Sequence, residues 1–138
     1  MRVLRSSLLA AAALATAQIA VAHHSYAMFD TSRQQTISGT VKAFEWTSPH
    51  VWVWVAADDA NGGMTTYGFE AVNPAQLVRW GGWSKHSLNV GDKVTVECNP
   101  LKSGKPGGSL ISITFADGRV LTSSSGQASN PPTSNPSN

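Results

Sequence analysis

The fold is decided by the stretch between residues 44 and 55, which reads Phe44-Glu45-Trp46-Thr47-Ser48-Pro49-His50-Val51-Trp52-Val53-Trp54-Val55. Two strand-like runs meet there at Ser48-Pro49. After the proline, valines alternate with tryptophans, and a period of two residues is typical of a β-strand whose successive side chains point to opposite faces. The pattern predicts a strand with a buried valine face and with His50, Trp52 and Trp54 together on the other face.

Further strand signals lie on both sides of this stretch. Apolar runs bounded by turn-forming residues predict strands over residues 35–46, 50–57, 64–72, 93–99 and 109–115, with a hairpin turn at Asp117-Gly118 that leads back through residues 119–121. Within the first strand, Gly39 predicts a bend or bulge. Simple alternation along this strand places Ala43 on the same face as Val41 and places Phe44 on the opposite face.

The only helix signal is short and has a defined start and end. Asn73 is suited to the N-cap, Pro74 to the first helical position, and Gln76 to the partner position of a capping box. Gly81-Gly82 predicts the end of the helix after about two turns.

Three strands, a short helix and two more strands indicate an all-β fold with one short helix. A bent first strand favours closure of the sheet, so the order of elements predicts a small OB-like five-stranded barrel. The same strands would also allow a small β-sandwich or an open roll, which is the alternative.

Residues 1–22 are predicted to form a signal peptide. Arg2 and Arg5 precede an apolar run, and Ala20-Val21-Ala22 fits the small-x-small cleavage rule, so the mature chain would begin at His23. We therefore expect a periplasmic or secreted protein. The apolar run is shorter than the span of about 20 residues that crosses a membrane, and the mature form is predicted to have no membrane span.

The mature chain divides into two parts. Residues 23–121 are predicted to form a single OB-like β domain with an N-terminal arm. Residues 122–138 consist mainly of Ser, Thr, Asn, Pro, Gly and Gln. Such a segment buries too little apolar surface to offset the entropy of ordering, so it is predicted to be a disordered polar tail.

Charge and cysteine content exclude some functional classes. Without Arg2 and Arg5, eight basic residues face eight acidic ones, and no basic cluster supports a nucleic-acid partner. The single cysteine, Cys98, shares a predicted strand face with Val94 and Val96. It is therefore expected to be a buried small hydrophobic residue without a redox role.

Several short motifs occur together in residues 23–121: a His-His-Ser-x-Ala-Met-Phe-Asp arm at 23–30, Phe-Glu-Trp-Thr-x-Pro-His-Val-Trp at 44–52, Pro74 with Leu77-x-Arg79, Gly82-Trp83, and Gly91-Asp92 with Val94 and Val96. In combination they resemble a domain-of-unknown-function family of small exported proteobacterial proteins. The resemblance implies export, a single β-rich domain, and importance for His23, His24, Trp46, His50 and Trp83. It implies no known activity.

The predicted mature N-terminus is a candidate metal site. His23 would carry both a free α-amine and an imidazole, which can chelate one metal ion and which resemble the start of a histidine brace in copper proteins. Nitrogen-rich sites of this kind favour Cu(II) over Zn(II) and Ni(II). His24 and His50 are the candidate completing ligands, with Glu45 or Glu70 as oxygen donors. In the alternative, the arm histidines are exposed or pack on aromatic rings, and His50 bonds to the backbone near its turn.

Five tryptophans are many for so small a domain. The candidate ligand-binding residues are Trp46, Trp52, Trp54 and Trp83, whose indoles can stack on sugar rings or other flat ligands when exposed. The alternative is that the tryptophans form part of the core. Trp52 and Trp54 are the stronger candidates because the valines already supply a core face.

Three functions remain open at this point. The leading one is a non-enzymatic exported binding protein for a metal ion or small ligand, with copper held by His23. The second is a metal-free interaction module that uses its aromatic face for a protein or an envelope glycan, and the third is a small copper-dependent oxygenase. The sequence has no nucleophile elbow, P-loop or dinucleotide-binding glycine pattern, so a non-enzymatic role is favoured.

Overall fold

The structure, a computed structural model, describes residues 26–123. The predicted signal peptide, the candidate ligands His23 and His24, and residues 124–138 of the predicted tail lie outside this range. The described chain forms six strands and one helix: β1 (Gln35–Glu45), β2 (Trp52–Asp58), β3 (Met64–Glu70), α1 (Pro74–Gly81), β4 (Lys93–Pro100), β5 (Gly107–Phe115) and β6 (Val120–Thr122).

The strands form a closed barrel. Their order is β3-β2-β1-β4-β5-β6 with antiparallel neighbours, and a parallel pairing of β3 with β5 closes the sheet on itself. Five strands therefore make the wall and β6 is an addition. The closure, with α1 between β3 and β4, confirms the predicted OB-like barrel and rules out the sandwich or open roll.

The predicted turns and caps are also confirmed. The Asn73 side chain accepts a hydrogen bond from the backbone N–H of Gln76 at 3.0 Å, and α1 ends at Gly82 with φ of 66°. In the Asp117-Gly118 turn, Arg119 donates its N–H to the Asp117 carboxylate at 2.9 Å. No helix within residues 26–123 is long and apolar enough to cross a membrane.

The bulge in β1 lies a few residues from where the sequence predicts it. The register with β2 shifts between Val41 and Ala43, not at Gly39. Because of this shift, Phe44 pairs with buried Val53 and packs against the core, so the prediction that Phe44 lies opposite the core face was wrong. Gly39 instead allows β1 and β2 to approach closely, because a Cβ at residue 39 would collide with the backbone carbonyl of Ala56 on β2.

The core fills the barrel with apolar side chains. The most deeply buried are Val41, Val51, Val53, Val55, Phe69, Leu77, Trp83, Val96, Cys98 and Ile113. Cys98 is buried as predicted, and burial raises the pKa of its thiol to about 11. β6 ends at Thr122, and Ser123 is buried and donates its N–H to the carbonyl of Ile111. The folded chain thus continues two residues past Leu121.

Candidate functional site

A cleft of about 430 Å³ lies on the outside of the barrel. Its walls come from the N-terminal segment, the loop before β2, the end of β3, the helix and β5. The lining residues that bear on chemistry are Tyr26, Phe29, His50, Glu70, Trp80 and Ser109.

Backbone pairing places His50 in this cleft. Its own carbonyl accepts a hydrogen bond from the hydroxyl of Thr47 at 3.2 Å. The next residue, Val51, exchanges backbone hydrogen bonds with Ala71 and Val72, which follow β3. The chain just before β2 is therefore fixed against the chain just after β3, and this brings the imidazole beside Glu70.

The imidazole of His50 has its Nδ1 turned toward the protein. Nδ1 lies 3.2 Å from Glu70 Oε1 and 3.1 Å from the carbonyl oxygen of Ala71. The side chain of His50 is 41% exposed and that of Glu70 is 10% exposed. Both oxygens can accept a hydrogen bond from Nδ1, and Nε2 lies on the other side of the ring. The contact with Ala71 is a backbone bond to the chain after β3 and not to the turn that precedes His50.

The N-terminal segment forms another wall of the cleft. Phe29 is 4% exposed and its ring contacts Tyr26 edge to face, with centroids 6.2 Å apart. The Lys102 ammonium donates to the carbonyl of Ala27 at 2.8 Å, and the Lys102 N–H donates to the carbonyl of Met28 at 2.9 Å. These contacts fix the segment to the loop between β4 and β5, so Tyr26 stays at the cleft although it is 62% exposed.

Trp52 and Trp54 lie together on the outer face of β2, next to the cleft. Their rings are nearly parallel, with centroids 5.6 Å apart and planes 16° apart. The Trp54 indole donates to the carboxylate of Glu45 on β1 at 2.9 Å, and its other end covers Gly68 on β3. Trp52 pairs in register with Glu70, so this tryptophan face adjoins the cleft without lining it.

The other two candidate tryptophans lie elsewhere. Trp83 is 1% exposed inside the barrel and donates its indole N–H to the carbonyl of Thr122 at 2.8 Å. Trp46 is partly buried and packs against Phe44, with ring centroids 5.8 Å apart. The structure therefore brings Trp52 and Trp54 together but places Trp46 and Trp83 with the core.

Sequence reasoning did not identify two aromatic walls of the cleft, Tyr26 and Trp80. Trp80 is 39% exposed at the end of α1. The available sequence signal was a tryptophan directly before the Gly81-Gly82 end of the predicted helix. Glu70 was considered as an oxygen donor to a metal, and its Oε1 lies 3.2 Å from Nδ1 of His50.

The described residues alone do not make a metal centre. Within residues 26–123 no group of three His, Cys, Asp or Glu side chains is close enough to hold a metal ion. His50 offers one nitrogen, and His86 lies on an exposed loop away from the cleft lining.

Fold and cleft together define a small OB-like barrel with an aromatic-walled cleft beside a stacked tryptophan pair. A comparison with known families matches residues 11–110 to a family of unknown function, DUF6152. The match covers most of the chain, so the protein belongs to that family. Searches among curated proteins and solved structures gave no match.

Proposed function

We propose that the protein is an exported binding protein that holds one copper ion between its mature N-terminus and His50. After cleavage behind Ala22, the α-amine and imidazole of His23 supply two nitrogen ligands. Nε2 of His50 supplies a third, and His24 is available as a fourth.

The observation that carries the proposal is that His50 and Tyr26 line one cleft. Tyr26 is the third residue after His23, and three residue steps of extended chain span at most about 11 Å. His23 is therefore tethered within reach of the cleft wall. Contacts that fix the N-terminal segment from Ala27 to Phe29 limit how far it can swing away.

The chemistry of the donors also supports copper. Imidazole and amine nitrogens suit Cu(II), which binds nitrogen sites more tightly than other first-row divalent ions. The protein would carry or store the bound copper, because carriage and storage require metal ligands but no catalytic group.

The test compares His50, which lines the cleft, with His86, which is exposed outside it. Cu(II) affinity is measured by competition with a coloured chelator for the mature wild-type protein and for His50→Ala and His86→Ala. We expect His50→Ala to weaken binding by at least about tenfold. Removing a residue that is hydrogen-bonded to a metal ligand typically weakens metal affinity by about 10–100-fold, and removing the ligand itself should weaken it at least as much. His86→Ala should bind as the wild type does. Equal affinity in all three proteins would exclude His50 as a ligand.

A second candidate function is favoured by the tryptophan face. The Trp54 ring is held at both ends, by Glu45 and over Gly68, and its parallel alignment with Trp52 offers a preorganised stacking surface. Such a surface suits the apolar face of a sugar in an envelope glycan and requires no metal. Binding of a β-linked N-acetylglucosamine oligomer that is lost in Trp52→Ala, but kept in Trp80→Ala and in His50→Ala, would favour this candidate.

A further inference from the structure

We infer that Glu70 is a positioning residue, whose carboxylate fixes His50 as the tautomer protonated on Nδ1 and leaves Nε2 as the metal-binding nitrogen. The tautomer is a property of the metal-free protein. The consequence for copper affinity rests on the proposed function.

The first support is the geometry around one atom. Nδ1 of His50 lies within hydrogen-bond distance of two acceptors that belong to consecutive residues, Glu70 Oε1 at 3.2 Å and Ala71 O at 3.1 Å. The Ala71 carbonyl oxygen can only accept a hydrogen bond. The arrangement therefore requires the proton on Nδ1.

The second support is that Glu70 is rigidly placed while His50 is not. Glu70 is 8% exposed and pairs in register with Trp52 on one side and with Ser109 on the other. His50 lies in a loop, and its side chain is 41% exposed. An exposed loop side chain loses rotamer entropy when it is ordered, and a fixed partner offsets that cost before any metal arrives.

The third support is the effect of a carboxylate on an imidazole ligand. A carboxylate on the far nitrogen sets the ring orientation and raises the basicity of the metal-binding nitrogen, and its loss typically weakens metal affinity by about 10–100-fold. The Ala71 carbonyl is a second acceptor for Nδ1 but carries no net charge. Glu70 thus supplies the electrostatic part of the effect.

The test begins with the metal-free wild type and needs no variant. Nitrogen-15 spectra of the histidine rings report which nitrogen carries the proton, and His50→Ala assigns the signal. We expect His50 as the Nδ1–H tautomer at a pH where the ring is neutral. An Nε2–H tautomer would overturn the inference.

The variants then separate charge from shape. Glu70→Gln keeps an amide oxygen near Nδ1 but removes the charge, and Glu70→Ala removes both. Glu97→Gln is the matched control, because the Glu97 carboxylate accepts a hydrogen bond from Ser112 and does not line the cleft. We expect Cu(II) affinity to fall by about 10–100-fold in Glu70→Ala, by less in Glu70→Gln, and not at all in Glu97→Gln. Thermal unfolding of the near-isosteric Gln variant shows whether it remains folded.

The two proposals fail in distinguishable ways. Tight copper binding that is unchanged in both Glu70 variants would overturn the role of Glu70 in the site and leave the copper proposal intact. Absence of copper binding in the wild type, with an Nδ1–H tautomer that is lost in Glu70→Ala, would overturn the copper proposal and support Glu70 as the residue that positions His50.

Discussion

Nδ1 of His50 lies 3.2 Å from Oε1 of Glu70, although all of β2 and most of β3 lie between the two residues in sequence. The contact exists because the antiparallel register pairs Trp52 with Glu70 and so brings the chain before β2 beside the chain after β3. A hairpin register thus determines which group faces the exposed imidazole. Predictions about the core, the tryptophan face and the buried thiol follow from the same structure.

The buried indole of Trp83 should contribute far more to stability than the exposed one of Trp80. Trp83→Ala removes a side chain that is 1% exposed and leaves the Thr122 carbonyl without its indole donor, so we expect a loss of about 3–5 kcal/mol in the free energy of unfolding. Trp80→Ala, at a residue 39% exposed, should cost less than about 1 kcal/mol. Urea denaturation measures both, and similar losses would contradict the burial of Trp83.

Gly68 should be required for the position of Trp54. A Cβ at residue 68 would lie 2.6 Å from Cζ3 of the Trp54 ring, so Gly68→Ala should lift the ring and break its bond to Glu45. We expect a loss of about 1–3 kcal/mol in unfolding free energy. Removing the ring removes the clash, so the double variant with Trp54→Ala should be less destabilised than the sum of the two single variants. Additive losses would show that the ring does not cover Gly68.

The Cys98 thiol should make stability fall in alkaline solution. Burial raises its pKa in the folded protein from 9.0 to about 11. The unfolded chain therefore releases the proton first as pH rises, so the contribution is present below about pH 9 and lost between about 9 and 11. The free energy of unfolding should fall more steeply across this interval in the wild type than in Cys98→Ala. Parallel curves would show that the thiol ionises equally in both states.

The same burial predicts slow thiol chemistry. The thiolate is the reactive form, and Cys98 is 0% exposed. At pH 8 the native protein should react with a disulfide reagent only at the rate of unfolding, while the urea-unfolded chain reacts at once. Fast labelling of the native protein would contradict the placement of Cys98 in the core.

Local patterns in the sequence predict most of the fold. Alternation around Val53, the Asn73 cap and the Asp117-Gly118 turn each depend on residues close in sequence, and each is confirmed. The bulge was predicted at Gly39 because a glycine inside a strand often marks one. In the structure the bulge follows Val41, and Gly39 instead allows the close approach of the Ala56 backbone. Nothing local marks Lys42 as the extra residue.

The site was less predictable because it depends on distant contacts. His50 was identified from its turn, but its partner Glu70 depends on the exact register of the β2–β3 hairpin, which the turn-rich residues 59–63 leave open. Tyr26 and Trp80 come to the cleft through the path of the N-terminal segment and the end of α1. Such tertiary placement leaves no periodic signal in the sequence.

The central claim, copper held at a processed N-terminus, is tested most directly by intact-mass analysis of the protein secreted from its own signal. The mass is measured before and after addition of one equivalent of Cu(II) and desalting. We predict a chain that begins at His23 and retains a single copper ion, which the His50→Ala variant loses. A chain that begins at another residue, or a wild-type protein that retains no copper, would contradict the account.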